Sequence, residues 1–236
     1  MACGVMTRFS AFIREGHVVA VLKIFVHCRK HIESKIVFNP MKRDFDDVEW
    51  VSGDWSQFYL DIKDGDEPIH TKMTEPRDKS VQVNMFCDAL HVSCLQSRCS
   101  TTGMLSFLNG APITWYSKCK NTIESSAFRS ELVALKIATE MGKGIRYKLR
   151  MMGVSIDGPT NCFCDNQIVV INVSKPEYVL NKNHNSIAYH KVRESVAHGT
   201  QKVTHESGII NVSDCLNKFL EPLAFRHSNE YILFRQ

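Results

Sequence analysis

The same tripeptide closes two separate apolar runs of this chain, Phe86-Cys87-Asp88 and Phe163-Cys164-Asp165. Residues 81–88 alternate well enough to read as a strand, and residues 161–165 read as a short buried one. An Asp at the end of an apolar strand disfavours that strand. Burying its carboxylate is costly unless a positive charge compensates. If the two strands lie side by side and run the same way, both carboxylates emerge at one edge of a sheet. Two carboxylates a few ångströms apart repel, and a divalent cation is the usual remedy.

The rest of the chain supplies the elements for such a sheet. Residues 104–109 and 113–117 read as strands joined at Asn109-Gly110, the strongest short hairpin signal. A long helix spans about residues 125–152, with Ser125 and Ser126 as candidate caps. A second helix begins at Asn166, a third covers 184–198 and ends near Gly199, a strand follows at 200–205, and residues 212–220 form a last helix. The order β-β-β-α-β-α-α-β-α predicts an α/β fold, a five-stranded mixed sheet with flanking helices. Trp115 and Tyr116 alternate on a predicted strand and read as core. Ahead of this region, residues 14–31 carry Val18, Val21, Leu22, Phe25 and Cys28 at helical spacing. Between the two regions, residues 61–80 are charged and carry Pro68 and Pro76, which is linker composition.

Composition narrows the function classes. With 44% hydrophobic residues the chain is not disordered at large. No apolar run approaches the roughly 18 residues of a membrane span. Residues 1–10 have no basic-then-apolar leader, so the chain reads as intracellular and cytoplasmic. Nine scattered cysteines, with no Cys-x2-Cys pair, argue for reduced thiols over a disulfide framework or a zinc site. The net charge of +4 is concentrated after residue 80, where a modest basic excess is compatible with a phosphate-bearing partner.

Two more acids can join Asp88 and Asp165. Glu131 lies among Phe128, Leu132 and Leu135 on the long helix, and Asp214 falls near the start of the last one. Each alone is explained as a capping or surface carboxylate, Asp214 in particular as an acid favoured by a helix N-terminus. Taken together on this element order, the four oxygen donors suit two Mg2+ ions about 3.5–4 Å apart, a two-metal phosphodiester site.

The segment Asp88…Ser100-Thr-Thr-Gly103…Trp115-Tyr-Ser-Lys118…Ser125-Ser-Ala-Phe-Arg-Ser-Glu-Leu-Val-Ala-Leu135…Phe163-Cys-Asp-Asn166…His184…Tyr189-His-Lys-Val-Arg-Glu194…Asp214…Lys218 resembles the ribonuclease H domain of copia-type retrotransposon polyproteins, over about residues 81–224. More briefly, Arg14-Glu-Gly-His-Val-Val-Ala-Val-Leu-Lys-Ile-Phe25 resembles the stretch that ends the reverse transcriptase of such polyproteins. The resemblance implies a ribonuclease H-like fold whose first and fourth strands are parallel neighbours. It also implies a nuclease acting on RNA–DNA hybrids, with Asp88, Glu131, Asp165 and Asp214 as catalytic and metal-holding acids. Mg2+, replaceable by Mn2+, would be the cofactor. On this reading residues 1–60 are a small, mostly helical reverse transcriptase remnant, 61–80 a linker, 81–224 the ribonuclease H-like domain and 225–236 a tail. Other parts of a polyprotein, within a retrotransposon particle, would be its partners.

Further residues are candidates for the substrate. Ser100, Thr101, Thr102 and Asn166 could hydrogen-bond the nucleic-acid backbone or a ribose 2′-hydroxyl, although Ser100–Gly103 also reads as a simple turn. His184 or His190 could touch substrate or carry a proton, whereas His190 with Glu194 also reads as a surface pair. Lys136, Lys143, Arg146, Lys148 and Arg150 either track a duplex or complement a helix C-terminus. The one adjacent Asp pair, Asp46-Asp47, lacks a flanking apolar strand, so no reverse transcriptase activity is expected. The rival to the nuclease reading is a catalytically inactive relic that at most binds nucleic acid.

Overall fold

The computed structural model describes residues 3, 6, 10–36, 38–59, 71–93, 98–179, 186–208 and 210–234. In chain order its elements are α1 (Glu15–Lys30), β1 (Lys35–Ile36), β2 (Arg77–Val81), β3 (Val83–Leu90), β4 (Thr101–Leu108) and β5 (Ala111–Cys119). There follow α2 (Ala127–Met151), β6 (Val154–Ile156), β7 (Thr160–Cys164), α3 (Gln167–Ser174), α4 (Ser186–Ala197) and β8 (Gln201–His205). A 3-10 helix (Val212–Leu216), α5 (Pro222–Ile232) and β9 (Leu233–Phe234) complete the described chain.

Asn109 takes the left-handed φ of 54° that the tight β4–β5 turn requires. The five-stranded sheet has the order β5-β4-β3-β7-β8. β4 runs antiparallel to β3 and β5, whereas β3, β7 and β8 are mutually parallel. The first and fourth strands of the expected set, β3 and β7, are therefore parallel neighbours, as the ribonuclease H resemblance implied. Their register pairs Phe86 with Phe163 and Cys87 with Cys164. β1 pairs with β9 and β2 with β6 in separate two-stranded ladders.

Because successive side chains alternate across a strand, the sheet has two distinct faces. One face carries Met85, Cys87, Met104, Cys162 and Cys164, packed against Leu132, Leu135 and Ala138 of α2 and Val169, Val170 and Val173 of α3. The other carries Phe86, Leu105, Phe107 and Phe163, covered by Phe45, Val48, Trp50 and Val212. Phe86 and Phe163 stack with centroids 4.6 Å apart, and Phe45 lies 5.0 Å from Phe163.

Several elements differ from the sequence expectation. The last helix, expected over 212–220, is a short 3-10 helix over Val212–Leu216, with the Asn211 side chain capping its first turn and the Asn217 and Lys218 N–H groups both reaching the Asp214 carbonyl. Trp115 is 59% exposed rather than core, since β5 is the sheet's edge strand. The apolar stripe of α1 buries no residue. Within the stretch read as linker, residues 61–70 lie outside the described residues and 77–81 form β2; most of the stretch read as tail is α5 and β9. Residues 45–50 pack on the sheet itself, and Thr204 Oγ1 donates to the Glu49 carbonyl at 2.7 Å. No described helix is long and apolar enough to cross a membrane.

Candidate metal centre

The register of β3 and β7 sets the site. With Cys87 opposite Cys164, Asp88 and Asp165 occupy the next positions on two parallel neighbours. Both lie on the face that carries Phe86 and Phe163. Asp214 approaches that face from the 3-10 helix. One carboxylate oxygen from each of Asp88, Asp165 and Asp214 lies within 4.8 Å of the other two. Glu131 comes from the second turn of α2 on the opposite face and meets the end of β3, where its oxygens accept the Ala89 N–H at 3.1 and 3.2 Å. Glu131 and Asp165 also fall within 4.8 Å of each other and of Cys164. The four acids thus form one cluster, with Asp165 common to both groups.

Local chemistry holds Asp214 in place. Asn211 Oδ1 accepts the backbone N–H and the hydroxyl of Ser213, while its Nδ2 donates to the Cys87 carbonyl at 3.2 Å. Ser117 Oγ donates to the Leu216 carbonyl at 2.5 Å. The 3-10 helix lies so close to β4 that a Cβ on Gly103 would stand 2.8 Å from the Ser213 carbonyl oxygen. The glycine of Ser100-Thr-Thr-Gly103 therefore permits the approach that brings Asp214 to the site.

Burial shapes the electrostatics. Asp88 is fully buried, and Glu131 and Asp214 are nearly so. Burial, with Cys164, Asp88 and Asp165 adding to it, holds the Glu131 carboxyl far above its ordinary range. Burial raises Asp165 as well, helped by the Asp88 charge, and it raises Asp214. Lys218 stands among the aspartates, its Nζ 3.1 Å from Asp88, 3.4 Å from Asp165 and 3.0 Å from Asp214. Burial works against the Lys218 charge, but Asp88 and Asp214 outweigh it and raise the pKa. Asn217 Nδ2 donates to Asp88 Oδ2.

The donor set fits a divalent cation. Asp88 Oδ1 is buried and has no hydrogen-bond partner, a costly state for a carboxylate oxygen that coordination would relieve. Cys164, held by its hydrogen bond to Cys87 and by burial, keeps its thiol proton well above ordinary pH. What remains around the centre is hard carboxylate oxygen, the donor type that hard divalent cations take.

The other predicted site residues are placed as follows. Ser100 is buried, and its hydroxyl contacts Ser130 Oγ at 3.0 Å and accepts the Val92 N–H at 3.3 Å. Thr101 is buried and meets Ser93 Oγ at 2.6 Å; Thr102 is buried with its hydroxyl unpaired. Asn166 caps α3 by accepting the Val169 N–H at 3.1 Å. His190 is exposed, with Nδ1 3.5 Å from the Tyr59 hydroxyl. His184 lies outside the described residues. Among the basic residues of α2, Arg146 is buried and donates to the Gly158 carbonyl, Lys136 pairs with Glu140, and Lys143 and Lys148 are exposed.

Sequence reasoning assigned no role to Asn211, Asn217 or Lys218 and saw Gly103 only as a motif glycine. For Asn211 the signal is its place two residues ahead of Ser213, an Asx-turn spacing. For Lys218 it is the four-residue step from Asp214.

No family model matches the sequence. The chain is similar to the retrovirus-related Pol polyprotein from transposon RE2 of Arabidopsis thaliana, at 24% identity over 156 residues, 66% of this chain and 11% of that one. It is also similar to the Pol polyprotein from transposon TNT 1-94 of Nicotiana tabacum, at 25% identity over 211 residues, 85% of this chain and 14% of that one. The chain thus spans only 11–14% of the length of these curated relatives. Among solved structures, it is similar to the N-terminal RNase H domain of a Mycobacterium tuberculosis protein fused to maltose-binding protein. That match has a TM-score of 0.45 and 11% identity, covering 64% of this chain and 98% of the other. RNase H1 of Halobacterium salinarum matches with a TM-score of 0.45 and 14% identity over 58% of this chain and 94% of the other.

Proposed function

We propose that this chain is a metal-dependent endonuclease of the ribonuclease H type, hydrolysing the RNA strand of RNA–DNA hybrids as part of a copia-type retrotransposon polyprotein. The observation that carries the reading is the convergence of Asp88, Glu131, Asp165 and Asp214 at one end of the parallel pair β3 and β7. Asp88, Asp165 and Asp214 would hold Mg2+, or Mn2+ in its place, from one side, and Glu131 would complete the set from α2. When bound, such a pair of ions supplies an activated water and charge stabilisation at the leaving oxygen of a phosphodiester. The protein's own contribution is position. β3 and β7 set the spacing of two acids through backbone register, and the Ala89 N–H orients the Glu131 carboxyl. No side-chain nucleophile is required.

The test is cleavage of a labelled RNA–DNA hybrid with Mg2+ or Mn2+ and with EDTA. We expect cleavage that EDTA abolishes. Asp88→Asn and Asp165→Asn should each lower it on the order of 10³-fold or more, since each removes a carboxylate that would hold the ions stabilising the transition-state charge. Intact hybrid with either metal, or undiminished cutting by both variants, overturns the reading. One observation speaks for an inactive chain that at most binds nucleic acid: the Lys218 ammonium lies where a cation would compensate the aspartates. In that case hybrid is retained in a mobility shift, but neither metal produces cutting.

A further inference from the structure

We infer that Lys218 is a displaceable counter-ion: its ammonium neutralises the aspartate cluster in the metal-free protein and withdraws to solvent when a divalent cation enters. The inference rests on the metal-dependent reading above and adds to it a regulation of ion entry. Three carboxylates gathered in a site this closed, with Asp88 fully buried, cannot remain uncompensated without a large desolvation cost. An ammonium has three N–H donors, and Lys218 presents its Nζ to three different aspartates within 3.4 Å.

Two features make this pairing reversible. The Lys218 side chain is 28% exposed, whereas that of Asp88 is 0% exposed, so the lysine has a route to water that Asp88 lacks. Lys218 lies two residues past the 3-10 helix, and its N–H bonds the Asp214 carbonyl at 2.8 Å, so the backbone can stay fixed while the flexible stem swings away. The pairing is also incomplete. Asn217 and Lys218 both contact Asp88 Oδ2 and leave the buried Oδ1 without a partner. A divalent ion brings twice the charge of the ammonium and can use the oxygen that Lys218 leaves unpaired. The cost of expelling Lys218 is subtracted from the ion's affinity, so the lysine sets the metal concentration at which the site loads.

The experiment is calorimetric titration of MnCl2, without nucleic acid, into the wild-type chain, Lys218→Met and Asp88→Asn, with thermal melts in EDTA and in saturating Mn2+. Lys218→Met should bind Mn2+ about tenfold more tightly or better, because the ion no longer competes with a resident charge. In EDTA it should melt several degrees below wild type, as a buried charge cluster loses its partner. Saturating Mn2+ should close that gap, because a ligand that binds only the folded state stabilises it. A further measurement needs no variant: the side-chain Cε resonance of Lys218 in labelled wild-type protein should move to the position of a solvated lysine as Mg2+ is added. Equal or weaker Mn2+ binding by folded Lys218→Met, or a Lys218 resonance unmoved while ions bind, overturns the counter-ion role and leaves the nuclease reading standing. Mn2+ binding by Lys218→Met alone shows a permanent block and overturns displacement. Absence of binding in all three proteins overturns this inference together with the metal-dependent reading.

Discussion

The two faces of the five-stranded sheet are covered in different ways. Over one, α2 and α3 lay regular rows of Leu132, Leu135, Ala138, Val169 and Val173 onto Met85, Cys87 and Cys162. Over the other, the cover is the irregular segment around Phe45, Val48 and Trp50, with Val212 of the 3-10 helix. The helical face supplies one acid, Glu131, and the irregular face presents the three aspartates. Periodic packing makes a stiff platform, whereas a polar cluster needs close, individually shaped approaches that a regular helix rarely provides.

The sharpest way to break this contrast is Leu135→Ala. On the fully buried helical face it should cost about 2–5 kcal/mol of stability in a denaturant melt. Hybrid cleavage per folded molecule, measured well below the melting point, should change little. A comparable loss of specific cleavage would show that the two faces do not divide their tasks in this way.

Gly103→Ala addresses the other face. Its Cβ would meet the Ser213 carbonyl oxygen at 2.8 Å, and overpacking of this kind costs about 1–3 kcal/mol. The specific signature is a loss of Mn2+ affinity greater than that of Leu135→Ala, since the backbone that moves is the one carrying Asp214. Unchanged ion affinity would remove Gly103 from the positioning of that acid.

A third, smaller effect sharpens the comparison where the faces meet. Lys120 Nζ donates to the Ser130 carbonyl at 2.7 Å, and burial lowers its pKa to about 8. Between that value and its ordinary 10.5 the unfolded chain still holds a proton that the folded chain has released. Stability from this group therefore rises with pH through that window, and below it the cost of the buried charge is borne in full. Melts of wild type and Lys120→Met should diverge over this range, the wild type gaining relative to the variant as pH rises. Parallel curves would show that Lys120 is well solvated. The smallest expected change is Trp115→Ala at the exposed edge strand, within about 0.5 kcal/mol by denaturant melt; a larger loss would show that this edge is covered.

Much of the fold was legible because its signals are periodic or local. Asn109-Gly110 marked the hairpin, Ser125 and Ser126 marked the start of the long helix, and the doubled Phe-Cys-Asp marked two strand ends that the ribonuclease H resemblance implied were parallel neighbours. What was not legible depends on distant partners. Phe45, Val48 and Trp50 have no periodicity to announce that they cover a sheet. Trp115 alternates as a core residue does, but nothing local says that its strand is at the edge. Ser100 and Thr102 have the composition of a turn, yet they meet the sheet at the head of β4 and are buried there. Lys218 looks like any charge one turn past an acid, while two of its three partners lie far back along the chain.

Cys87 and Cys164 face each other as partners in a parallel ladder, and that alignment has a genetic consequence. Side chains on a strand alternate with a period of two. Loss of one codon between those for Thr160 and Cys164 would therefore send Asp165 toward the helices and turn Phe163 away from Phe86 with it. Such a deletion would take apart the acid cluster and the packing of a fully buried central strand together.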